Sequence, residues 1–237
     1  MEQLVSFFSA NWVNLLALFW FLLCFKGYNA YTRKRARDTY CLASLMHQYR
    51  LHWMTQMLNR DVRIADTTVI ANLERSVSFF ASSTMLILAG LMTVLGSTEK
   101  AIDVVSDIPF AAAATKGEWE LKLLLMIGLF VYAFFKFTWS LRQYGFTSVM
   151  MGAAPLPTEQ ASDQERKAHA NRLGVMSSMA ANNFNLGLRT FYFSMAVLGW
   201  FVNPWLFMAL TAGVVFILYR REFKSSTLQQ LVISHTE

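Results

Sequence analysis

"NNFNLGLRTFYF", residues 182–193, sets three asparagines and an arginine directly against one of the most apolar stretches of the chain. Whether Asn182, Asn183, Asn185 and Arg189 lie outside a membrane or within it decides the helix count. Beyond them, Thr190 to Tyr219 is apolar, interrupted only by Asn203-Pro204. As one helix those residues would measure roughly 45 Å, against a hydrocarbon core of about 30 Å. Asn-Pro is a turn-type dipeptide. Two helices folded back at Asn203-Pro204 fit better than one overlong span.

The rest of the chain supports a membrane setting. Of 237 residues, 55% are hydrophobic and 15% charged, with a mean hydropathy of +0.34. A soluble domain carries nearer a quarter charged residues. Apolar runs also occur at Trp12–Tyr31, Ser76–Gly96 and Leu121–Leu141, each of the ~20 residues that a span needs. No Lys or Arg precedes the first run, and "KGYNAYTRKRAR" follows it. That is the reverse of a secretory signal peptide, so the run reads as a retained anchor with its N-terminus outside. A pI near 9.4 in a soluble chain would suggest nucleic acid. Here the apolar runs exclude that class, and topology explains the bases.

Charge sets the orientation. Arg33, Lys34, Arg35, Arg37, Arg50, Arg60, Arg63 and Arg75 lie between the first two runs. Arg142, Arg166, Lys167, Arg172 and Arg189 follow the third, whereas the segment between the second and third is acidic. The positive-inside rule places both basic segments in the cytoplasm. A hairpin at Asn203-Pro204 then returns the tail "RREFK" inside, as the rule requires. Trp12, Trp119, Trp200 and Trp205 fall at proposed outer ends, as an aromatic belt would.

The expected fold is all-α: a polytopic bundle forming one membrane domain over 1–237. Its five spans lie at about 11–31, 76–96, 121–142, 180–202 and 204–220, with the N-terminus outside and the C-terminus cytoplasmic. Thr190–Val202 alone gives only about 20 Å of helix, so the fourth helix must start near Ala180. That puts Arg189 roughly 13 Å into the membrane. Within the cytoplasmic segment 32–75, Leu42, Leu45, Met46, Tyr49, Trp53 and Met57 recur at helical spacing, opposite His47, Gln48 and Arg50. They predict an amphipathic helix. Asp66 or Thr67 is the expected N-cap of a helix of about thirty residues running into the second span. The stretch "GAAPLPTEQASDQE", 152–165, reads as a loop.

With these segments placed, the chain resembles the domain of unknown function 599 family, multi-pass membrane proteins of bacteria and plants. The resemblance rests on "WMTQMLNRDVRIADTTVIANLERSVSFFASST" (53–84), "MGAAP" (151–155), "NNFNLGLRTFYF" (182–193) and "LYRREF" (218–223). It covers most of the chain and implies an architecture, with no chemistry attached. It fits a plasma-membrane location, the inner membrane of a bacterium.

Several residues are candidates for a site. Asn182, Asn185 and Arg189 share a helix face, and a guanidinium at that depth costs about 2.5–3.5 kcal/mol on insertion scales. They form either an anion-attracting pocket or a structural brace, with Arg189 on a carboxylate or a helix C-terminus. Ser76, Ser83 and Gly90 follow a seven-residue repeat, with Ser78, Ser82 and Thr84 beside them. They suit helix packing or a pore lining. Arg60, Asp61, Arg63 and Asp66 form a charged cluster that binds lipid headgroups, regulates a pore mouth, or is a salt-bridged turn docking the loop onto the bundle. Lys26 and Lys136 read as snorkelling cations. Cys24 and Cys41 are too few for a disulfide framework. His47, His52, His169 and His235 have no metal-ligand spacing, and neither a GxSxG nor a Walker loop occurs. No metal, cofactor or catalytic residue is expected.

Two functions compete closely. One is a homo-oligomeric channel or passive transport protein with a polar, cationic inner half. The other is a membrane scaffold or accessory subunit whose cytoplasmic loop docks a protein partner. A lipid-acting enzyme ranks third.

Overall fold

The computed structural model describes residues 2–109, 111–158 and 161–233. His235 and Glu237 lie outside them. In chain order the helices are α1 (Glu2–Asp38), α2 (Leu42–Met57), α3 (Ile64–Gly96), α4 (Thr98–Ser106), α5 (Lys116–Gly152), α6 (Asp163–Val202), α7 (Pro204–Phe223) and α8 (Ser226–Ile233). The fold is all-α among the described residues. Three helical stretches are long and apolar enough to cross a bilayer: Trp12–Ala36, Ile64–Gly96 and Lys116–Gly152. They mark a multi-pass membrane protein.

The chain divides into two compact units, neither a continuous stretch of sequence. Unit 1 gathers 1–38, 87–130 and 189–221. Its core is aromatic. Phe21 meets Phe193 edge-on at 5.9 Å and Phe207 at 5.3 Å, and Trp200 stacks on Phe207 at 4.9 Å. The α6–α7 junction falls where Asn203-Pro204 predicts it. Pro204 opens α7, where its missing N–H costs nothing. Asn203 Oδ1 accepts the Trp205 N–H at 2.9 Å, a side-chain N-cap. The helices approach closely at Gly199, where a Cβ would come 2.6 Å from Leu210 Cδ1.

The tryptophans correct one expectation. Trp12 and Trp205 are exposed, as belt residues would be, but Trp119 and Trp200 are buried in the unit 1 core. Trp119 packs against Phe201 at 4.8 Å. Apolar packing claims these two indoles before any interface does.

Unit 2 gathers 39–86, 131–188 and 222–237. Here α2 is the expected helix, burying Leu45, Met54 and Met57. Its polar face is corrected. His47 and Arg50 are half-buried rather than solvated, and His47 Nδ1 lies 2.8 Å from Ser178 Oγ of α6. Burial presses the Arg50 guanidinium below its ordinary pKa, with Tyr144 partly opposing the shift. Glu222 Oε1 accepts the Ala43 N–H at 3.1 Å, placing a carboxylate at the positive end of α2.

Helix ends differ from the sequence pattern in two places. α6 begins at Asp163, not near Ala180, and runs for 40 residues. A capping box starts it: Ser162 N–H donates to Glu165 Oε2 at 2.9 Å, and Glu165 N–H to Ser162 Oγ at 3.2 Å. These bonds from the Ser162 backbone and side chain hold the Glu165 carboxyl below the usual carboxylate range. A lowered folded pKa stabilises above the unfolded value, and the gain disappears as pH falls through the folded value. Ser162→Ala is expected to cost about 1 kcal/mol. Faster amide exchange over the first turn of α6 reports that loss, and acidification below the carboxylate range should loosen the same turn in the native chain.

α3 begins at Ile64, so neither Asp66 nor Thr67 is its N-cap. The Thr67 N–H already bonds the Arg63 carbonyl at 3.0 Å, and the Asp66 side chain turns inward.

Candidate functional site

The charged cluster of the α2–α3 loop folds onto unit 2. Asp66, in the first turn of α3, is 2% exposed. Its Oδ1 accepts from Trp53 Nε1 at 2.7 Å and from the Arg60 guanidinium at 2.6 Å. Arg63 reaches the other way. Its two terminal nitrogens donate to the carbonyls of Ala154 and Pro155 at 2.8 and 2.6 Å, and its Nε to the Arg60 carbonyl at 3.3 Å. Arg166, near the start of α6, donates to the Leu58 carbonyl at 2.6 Å and the Leu156 carbonyl at 3.1 Å. Three arginines thus tie the end of α2, the start of α3, the loop after α5 and the start of α6. Carbonyls past a helix end lack intrahelical partners, and a planar guanidinium serves two at once. Asp61 stays exposed.

A second polar group lies between α5 and α6 of unit 2. Lys136, Ser140, Gln143 and Thr147 fall at i, i+4, i+7 and i+11, one face of α5. Ser140 Oγ donates to the Ala180 carbonyl at 2.7 Å, fully buried. Asn183 Nδ2 donates to Gln143 Oε1 at 2.8 Å, and Lys136 Nζ to Asn183 Oδ1 at 3.5 Å. Lys136 also lies 5.4 Å over the Tyr132 ring. It is held by neighbours, whereas the sequence suggests a snorkelling cation. Two apolar features close this seam. Phe137 and Phe184 pack at 5.8 Å, and Gly187 leaves room for the Phe137 ring, 2.5 Å from where a Cβ would stand.

The opening stretch therefore splits by role. Asn183 belongs to the seam. Asn182 is exposed, whereas Asn185 and Arg189 are half-buried. Arg189, in unit 1, donates to Thr32 Oγ1 at 3.0 Å and lies 5.4 Å over the Tyr28 ring. It is a brace between α6 and α1. A hydroxyl and an aromatic face are among its partners.

The second-span hydroxyls behave differently. Ser76 is exposed and Ser83 half-exposed. Each donates to its own helix four residues back, to Asn72 at 3.0 Å and Phe79 at 2.8 Å. Around Gly90 no atom would lie within 4 Å of a Cβ. At Gly90 this face is open, and Ser83 is partly covered. Glycines that do admit neighbours are on α6: Gly174 against Leu51, Gly187 against Phe137 and Gly199 against Leu210. Among the described residues no three of His, Cys, Asp or Glu gather as metal ligands.

The stretches that meet in the charge brace, 53–66 and 151–155, are among those that carry the family resemblance. The profile described as "Protein of unknown function, DUF599" matches residues 16–227. The chain belongs to the DUF599 family. No curated protein matches it, and no solved structure does. The DUF599 match reaches across both units, so the brace, the polar seam and Arg189 all fall within it. One buried cation of this DUF599 chain escaped the sequence reading: Lys122, 5% exposed. It lies at the first turn of an apolar run, where nothing in the sequence marks it as buried. The buried Gln143 was missed too, although its polar stripe on α5, Lys136 to Thr147, was visible in the sequence.

Proposed function

We propose that the protein is a non-conducting membrane scaffold that presents unit 2 to a protein partner at the cytoplasmic face. The charge brace carries this reading. Arg60, Arg63, Asp66 and Arg166 are spent on intramolecular bonds, and Arg189 is spent on Thr32 and Tyr28. In a channel, Arg189 would instead line the conduction path or its inner mouth, and the loop arginines would be free to act at a pore mouth. Helix length points the same way. α3, α5 and α6 have 33, 37 and 40 residues, against the ~20 that cross a bilayer. A chain that only had to seal or span would not need them. No catalysis is proposed.

In this reading five spans cross the plasma membrane of a bacterium, with the N-terminus outside and the C-terminus inside. The charge distribution and the helix break at Asn203-Pro204 support that topology. Val62 and Ile64, which flank Arg63, are 69% and 72% exposed, and a shallow groove of about 700 Å³ lies near Pro155, His169 and Arg172. Together they offer a docking face of two exposed apolar residues beside a groove of mixed charge, since Glu165 lines it too. Cross-linking from a photoreactive residue at 62 or 64 in membranes tests this. One defined protein adduct, lost with Arg63→Ala, is expected. Adducts to lipid alone would overturn the docking face. A reporter fused at the C-terminus and found outside the cytoplasm would overturn the topology.

One observation favours a second reading, the homo-oligomeric channel. Ser76 and Gly90 are exposed and Ser83 is only half-covered, as they would be if α3 met another copy. Ser83→Leu then weakens a fixed oligomer on a sizing column. Scaffold function without an oligomer leaves the elution unchanged.

A further inference from the structure

Neither the charge brace nor the proposed scaffold uses Lys122. It lies on α5 within unit 1. Its Nζ donates to the Trp200 carbonyl at 3.1 Å and lies 5.5 Å from the indole centre. Trp200 is in the last turn of α6, where carbonyls want donors and a cation complements the dipole. That accounts for one of the three ammonium N–H groups. No carboxylate among the described residues forms an ion pair with it.

Beside it opens a cavity of about 710 Å³, walled by Leu15, Leu18, Leu121 and Leu125. Small-molecule pockets span roughly 300–1,000 Å³. Asn14 adds a second donor. Trp200 Nε1 donates to Asn14 Oδ1 at 2.9 Å, and an indole N–H can only donate. The amide is thereby fixed, with its Nδ2 donors left for the cavity. Glu118 also lines the wall. Its Oε2 accepts the Thr115 N–H at 3.0 Å in the capping box that starts α5, and its charge opposes that of any anion bound here.

We propose that this cavity binds an anionic phospholipid, its phosphate on Lys122 and Asn14 and an acyl chain along the leucines. Charge complementarity selects an anion, and the leucine wall selects a lipid over free phosphate. The bilayer around a multi-pass protein supplies such a molecule at high local concentration.

The test uses the full chain in neutral detergent, offered phosphatidylglycerol or phosphatidylcholine of matched chains, with retained lipid read by native mass spectrometry. Preference for phosphatidylglycerol is expected. It should fall about fivefold in Lys122→Met and persist in Lys122→Arg. It should rise in Glu118→Gln, which keeps the cap and removes the opposing charge. Equal retention of the two lipids overturns the proposal, as does an unchanged preference in Lys122→Met. If Lys122→Met does not fold, Glu118→Gln decides, and no rise there overturns it. Oleate displacing phosphatidylglycerol at equal concentration overturns the phospholipid assignment.

Discussion

A leucine at position 187 is expected to destabilise the protein by about 3 kcal/mol, the upper end of overpacking costs. A Cβ there would stand 2.5, 2.7 and 2.9 Å from three atoms of the Phe137 ring. That ring is fully buried and cannot swing aside. Gly90→Leu is the control. It enters open space and should shift stability by less than about 0.5 kcal/mol. Denaturation midpoints in detergent, followed by helical circular dichroism, separate the two. Adding Phe137→Ala to Gly187→Leu should recover part of the loss, since neighbouring changes couple. Equal midpoints for the two leucine variants would remove the close α5–α6 approach from the fold.

Removing the Arg63 guanidinium should cost nearly as much, about 3 kcal/mol. Two charge-assisted bonds to the Ala154 and Pro155 carbonyls are lost, each worth about 1.5–3 kcal/mol before discounting for partial exposure, together with the longer Nε bond to the Arg60 carbonyl. The damage should be local. Amide exchange is expected to quicken at the start of α3 and at the end of α5, and to hold elsewhere. Arg63→Lys should not restore protection, because one ammonium cannot serve two carbonyls as a planar fork does. Unchanged exchange in Arg63→Ala would mean that the brace contributes nothing in solution.

Much of this fold can be read from residue order. Apolar periodicity marks α2, and Asn203-Pro204 marks the α6–α7 junction. Helix starts were also there to be read, as Thr115–Glu118 and Ser162–Glu165, two capping boxes. Partner choice is the part that sequence does not encode locally. Nothing near Arg63 in sequence announces the carbonyls of Ala154 and Pro155, some ninety residues away. Nor does Arg189 announce Thr32, 157 positions earlier. An arginine that braces and an arginine that lines a pore look the same until tertiary contacts are known. Glycines carry the same ambiguity. Gly90 and Gly187 both interrupt apolar helices, yet only Gly187 has a neighbour that needs its missing side chain.

The non-conducting role is tested most directly by flux. The purified protein is reconstituted in sealed liposomes, beside Arg189→Ala, and anion and cation passage is followed under an imposed voltage. Both proteins should leave the vesicles as tight as protein-free ones. Passage that changes in rate or selectivity when Arg189 is removed would contradict the scaffold and put that arginine on a conduction path.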